Sequence, residues 1–102
     1  LLKPVAGLIE RQRMVKSEDE IARIRKSVRT NSAAYERALK KARPGMRESE
    51  LAAELDFQMR RLGAEAAAFE TIVASGERTA LPHARPTAAR LENDQLLLID
   101  MG

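Results

Sequence analysis

Apolar positions in this chain follow two different periods. From Ile21 to Ala42 they recur mostly every third or fourth residue, at Ile21, Ile24, Val28, Ala34, Tyr35, Ala38, Leu39 and Ala42. That is the spacing of one face of an α-helix. Ser17 followed by Glu20 makes a capping-box pair at its start, and Asp19 adds negative charge to the first turn. The helix is expected to run to about Lys41, roughly 36 Å at 1.5 Å per residue, and Arg43-Pro44-Gly45 ends it. A second helix is expected from about Glu48 to Leu62. Leu51, Leu55, Gln58 or Met59, and Leu62 mark its buried stripe, and Gly63 stops it. Asp56 and Arg60 read as an i,i+4 ion pair on its wet face.

Beyond Gly63 the helical period is lost. Ala64 to Ala68 has high helix propensity, but it lies between a glycine stop and a strand pattern and reads as a connector. Phe69 to Ser75, with Thr71, Ile72 and Val73, reads as a strand ending in a Ser75-Gly76 turn, and Thr79 to Leu81 as a short returning strand. His83 to Thr87 must be loop, bracketed by Pro82 and Pro86. Ala88 to Leu91 has no clear pattern. Glu92-Asn93-Asp94 is a polar turn into a last strand, Gln95 to Asp100. Its aliphatic run, Leu96 to Ile99, fits a strand buried on both faces. Residues 1–16 form a lead-in segment with one helical turn around Leu8 to Gln12, since Pro4 and Gly7 oppose a continuous helix. Residues 17–102 then form one α+β unit, two helices packed on an antiparallel sheet.

Composition narrows the functional classes. At 102 residues, 44% hydrophobic but only 3% aromatic, the chain makes one domain at most, with an aliphatic core. The absence of cysteine excludes disulfides and thiolate metal sites and fits a reducing, cytoplasmic setting. No apolar run approaches a membrane span, so no membrane partner is expected. The net charge of +3 invites a nucleic-acid reading through Arg23, Arg25, Lys26 and Arg29. Acids nevertheless gather at the start of the first long helix, and Lys40, Lys41 and Arg43 at its end, as the helix dipole favours. With few aromatics to stack on bases, no nucleic-acid partner is expected. The chain opens on Leu1 rather than Met and reads as an excised piece.

Three features remain for chemistry. Asp100 ends the last strand, where a buried carboxylate would need a basic partner, a hydrogen-bond cluster or a metal ion. On spacing alone, a turn or capping role is the commoner one for such an Asp. His83 is the single histidine, on a loop. Ser75 has no visible base partner and reads as a turn residue.

Taken in order, Phe69-Glu70-Thr71-Ile72-Val73-Ala74-Ser75-Gly76, Leu81-Pro82-His83 and Leu96-Leu97-Leu98-Ile99-Asp100-Met101-Gly102 resemble the Xaa-Pro peptidase and prolidase branch of the methionine aminopeptidase family. Arg13-Met14-Val15-Lys16-Ser17 with Glu20-Ile21, and Arg43-Pro44-Gly45-Met46 with Glu50-Leu51, extend the resemblance upstream. It implies the first half of a "pita-bread" fold. In the intact enzyme it implies two divalent metal ions (Mn, Co or Zn) and a peptide substrate with proline at its second position. Asp100 would correspond to the first metal-binding aspartate, and His83 to the histidine that faces the scissile bond. The other ligands of that family would follow Gly102, so this chain alone is expected to be inactive. A creatinase-like hydrolase and a metal-free binding module on the same fold are the alternatives. A half-domain exposing apolar surface is also expected to self-associate, as a homodimer.

Overall fold

The computed structural model describes residues 4–102; the first three residues of the lead-in segment lie outside them. Gly7, at φ 74°, turns the chain into α1 (Leu8–Met14), which reaches two residues beyond the expected turn and buries no side chain. Ser17 then caps α2 (Glu18–Leu39) as its sequence dictates. The Glu20 amide donates to Ser17 Oγ at 3.3 Å, and the Ser17 amide donates to Glu20 Oε2 at 2.9 Å. The Arg13 guanidinium meets the same Glu20 at 2.7 Å and ties α1 to the start of α2.

Only the far end of the apolar stripe on α2 is covered. Ala34 and Ala38 are fully buried where α2 packs on α3, whereas Ile21, Ile24 and Val28 are 38%, 48% and 58% exposed. Among the described residues, nothing lies over the first turns of that stripe. α3 (Glu48–Arg61) has no capping side chain at Arg47, so Glu50 reaches back to accept from the Arg47 amide at 2.7 Å. Gly63, at φ 97°, takes the left-handed conformation that closes the helix. The expected pair of Asp56 with Arg60 does not form. The connector brings Thr71 alongside, its hydroxyl donates to Asp56 at 2.6 Å, and Arg60 turns to the Glu65 carbonyl at 3.2 Å.

β1 (Ile72–Ser75) and β2 (Leu97–Asp100) pair antiparallel, with Ile72 opposite Asp100 and Ser75 opposite Leu97. α3 packs on β1, so the order of layers is α2, α3, sheet. β1 is the buried strand. β2 is half-buried and its Asp100 is exposed, not enclosed on both faces as the aliphatic run suggested. The segment after β1 also differs from expectation. Gly76 takes φ 55° and opens a 3-10 helix, Gly76–Ala80, in place of a returning strand. The Gly76 amide still donates to the Leu96 carbonyl at 2.9 Å, while the Thr79 hydroxyl donates back to the Gly76 carbonyl at 2.8 Å and holds the turn.

The patternless stretch Ala88 to Leu91 owes its shape to distant partners. Arg47 and Arg90 form an isolated bridge, Leu91 donates its amide to the Met46 carbonyl at 2.8 Å, and Gly45 donates to the Leu91 carbonyl at 2.8 Å. Leu91 thereby joins the core of Ala38, Leu51, Ala52, Leu55 and Val73, flanked by Met46, Leu97, Ile99 and Met101. Leu55 has no exposed surface. Leu55→Ala in the intact protein is expected to cost about 2–5 kcal/mol in urea unfolding; a loss under about 1 kcal/mol would mean this helix does not anchor the core.

Candidate active site

Glu48, in the first turn of α3, is fully buried and charged. An ionised carboxylate without water is tolerated only when donors surround it, and here they come from the end of β1 with the turn that follows it and from the far end of the loop beyond. Ser75, at the end of β1, donates its amide to Glu48 Oε1 at 2.8 Å and its hydroxyl at 3.2 Å. Arg78, in the 3-10 helix, donates Nε to both carboxylate oxygens at 3.2 Å. Thr87, at the end of the proline-bounded loop, donates its amide to Oε2 at 3.0 Å and its hydroxyl at 2.7 Å. Burial pushes the Glu48 carboxyl up, but the Thr87 and Ser75 hydrogen bonds outweigh it and hold the group below its ordinary value.

That cluster fixes the surroundings of both residues singled out from the sequence. His83 is exposed on the loop, beside the buried Ala84. The loop is held at Thr87 by Glu48 and at the Arg85 carbonyl by Arg78, whose Nη2 donates at 2.8 Å. Phe69, Glu70, Thr71 and Ile72 form one wall of a cleft of about 280 Å³, and His83, Ala84, Arg85 and Pro86 the other. Ile72 is also the register partner of Asp100, so the last residue of β2 lies across the strand pair from this cleft wall. Asp100 is not among the residues lining this cleft; what links it to the His83 side is its register partner Ile72. A larger cleft, about 490 Å³, lies between α2 and the connector and is lined by neither residue.

Asp100 is an exposed oxygen donor at the end of a hydrogen-bonded strand, which suits one ligand position of a hard divalent cation. Among the described residues, no three histidine or carboxylate side chains converge to complete such a site. By its chemistry this chain could offer such a cation one carboxylate at Asp100, not a full ligand set.

The model of metallopeptidase family M24 matches residues 22–102. The chain belongs to that family. It is 40% identical over 100 residues to the Xaa-Pro dipeptidase of Pyrococcus horikoshii, covering 98% of this chain and 28% of that protein. Its backbone superposes on the crystal structure of X-Pro aminopeptidase from Thermotoga maritima with a TM-score of 0.88 at 40% identity, covering 96% of this chain and 28% of the other. A zinc-substituted Escherichia coli aminopeptidase P in complex with product matches with a TM-score of 0.84 at 36% identity, over 89% of this chain and 21% of that one. The structural neighbours are pita-bread M24 peptidases, and the chain spans about 28% of the first two matches. The M24 match makes divalent metals the cofactor class of the family.

Within this M24 segment, Glu48 was not singled out from the sequence. The signal was present: counting back from Met59, Leu55 and Leu51 at helical spacing puts position 48 on the buried stripe. Its identity as an acid in a first turn hid this, because such acids ordinarily face water. Thr87 and Arg78 carry no local signal, since their partner is 39 and 30 residues away.

The depressed carboxyl of Glu48 has a pH consequence. A group ionised more readily folded than unfolded contributes its full stability above the unfolded value of about 4.3 and loses it as pH falls through the folded value. Glu54, held low by hydrogen bonds from Gln58 and Lys41, contributes with the same sign. Glu48→Gln is expected to cost about 3 kcal/mol at neutral pH and to flatten the loss of stability below about pH 4.3. Unfolding curves taken between neutral and acid pH check this; an unchanged acid slope would show that Glu48 is not ionised in the fold.

Proposed function

We propose that the protein containing this chain is a divalent-metal-dependent hydrolase of Xaa-Pro peptides, of aminopeptidase P or prolidase type. The observation that carries the reading is the cleft itself: in an M24 chain, His83 lines it and Ile72, on its other wall, pairs with Asp100. The relatives named Xaa-Pro dipeptidase and X-Pro aminopeptidase support the substrate class.

In this reading Asp100 supplies a carboxylate to the metal centre, and the remaining ligands come from parts of the protein outside this chain. When bound, two divalent ions (Mn, Co or Zn) would supply Lewis acidity and lower the pKa of a water. The zinc in the E. coli relative is consistent with that cofactor class. His83 stands on the exposed side of a clamped loop and can donate an imidazole N–H to the substrate carbonyl oxygen, where negative charge develops during attack. The substrate would lie with the bond preceding its proline between His83 and Asp100. The 102-residue chain by itself, with one carboxylate at that position, is inactive in this reading.

The test is manganese-dependent hydrolysis of an Xaa-Pro dipeptide by the complete open reading frame. Asp100→Asn, which keeps the shape but removes the charge, is expected to abolish turnover and weaken metal retention. His83→Ala is expected to keep the metal and lower kcat by about 10²–10³-fold. Metal binding without Xaa-Pro cleavage would transfer the reading to a creatinase-like substrate. Neither metal binding nor cleavage would make the chain part of a binding module.

A further inference from the structure

We infer that Glu48 is a positioning residue for the active site: it holds the His83 loop in fixed register with the strand opposite Asp100. Its catalytic consequence rests on the peptidase reading, while the clamp rests on geometry alone. The two carboxylate oxygens divide the work. Oε1 takes the amide and hydroxyl of Ser75, the last residue of the strand whose first residue pairs with Asp100. Oε2 takes the amide and hydroxyl of Thr87, the last residue of the loop that carries His83. Arg78 bridges the two sides, since its Nε reaches both oxygens and its Nη2 reaches the Arg85 carbonyl, two residues from His83.

The loop can be held in this way because it is already stiff. Pro82 and Pro86 fix two backbone angles, Ala84 is buried between them, and the Leu81 amide is tied to the Arg78 carbonyl at 3.1 Å. What remains is rigid-body motion of the loop against the sheet, and the Thr87 hydrogen bonds to Glu48 oppose it. Glu48 itself has no exposed surface and touches no substrate, so its influence on His83 passes through Thr87 and Arg78. A misplacement of about 1 Å at a catalytic group is enough to lower turnover strongly.

The experiment uses the full-length protein and two variants that leave Glu48 in place. Thr87→Val removes the hydroxyl that donates to Glu48 and accepts from the Ala89 amide while keeping the side-chain shape, and Thr87→Ser restores both bonds. Amide hydrogen exchange by mass spectrometry is expected to run about tenfold faster over residues 81–87 in Thr87→Val. Exchange in α2 should be unchanged, and Thr87→Ser should match the wild type. On an Xaa-Pro dipeptide with manganese, Thr87→Val should lose about tenfold in kcat with KM within about twofold, and Thr87→Ser should recover it. A merely structural role would lower the melting temperature and leave kcat of the folded enzyme unchanged.

Unchanged exchange over residues 81–87 in Thr87→Val would overturn the clamp. Faster exchange with unchanged kcat would overturn the positioning role and leave the peptidase reading intact. A metal-loaded wild type that cleaves no Xaa-Pro substrate would overturn the peptidase reading and the catalytic consequence together, and the exchange data would then decide the clamp by themselves.

Discussion

A carboxylate with no access to water must be satisfied by the protein, and in this chain that requirement falls on Glu48. The aliphatic core of Leu51, Leu55 and Val73 holds α2, α3 and the sheet together through apolar burial, which carries little directional demand of its own. Glu48 removes that freedom. Its donors must arrive at stated angles from the end of β1, from the 3-10 helix and from the end of the proline-bounded loop. Apolar burial thus sets how tightly the layers adhere, and one buried charge sets where the proline-bounded loop lies on them.

The same arrangement fixes the backbone beneath two exposed side chains. His83 and Asp100 are both open to solvent, and neither is fixed by burial. Each is held through its backbone: Asp100 by strand pairing with Ile72, His83 by a loop tied at Ala84, Arg85 and Thr87. Exposed side chains on a rigid frame remain available to a substrate or a cation.

Local patterns made the helices legible, and long-range ones hid the rest. The capping box at Ser17 and Glu20 and the glycine stop at Gly63 appear where their spacing places them. α2 ends at Leu39 and α3 at Arg61, each slightly short of its expected limit, as helix ends usually are. Thr79 to Leu81 forms no returning strand, because β-branched and aliphatic residues fit a turn pinned by Gly76 as well as they fit a strand. Ala88 to Leu91 offered nothing to read, since its partners are Gly45, Met46 and Arg47. His83 and Asp100 were legible only as positions in the Leu-Pro-His and Ile-Asp motifs of a family resemblance. The hydrogen bonds of Glu48 with Thr87 and Arg78 depend on chain crossings that no local window contains.

Anomalous diffraction from crystals of the complete protein loaded with manganese bears most directly on whether this cleft is a metal-dependent active site. A manganese peak within bonding distance of the Asp100 carboxylate, on the side of the strand pair that faces the His83 loop, is the result expected. A fully occupied manganese site elsewhere, with Asp100 unliganded, would contradict it.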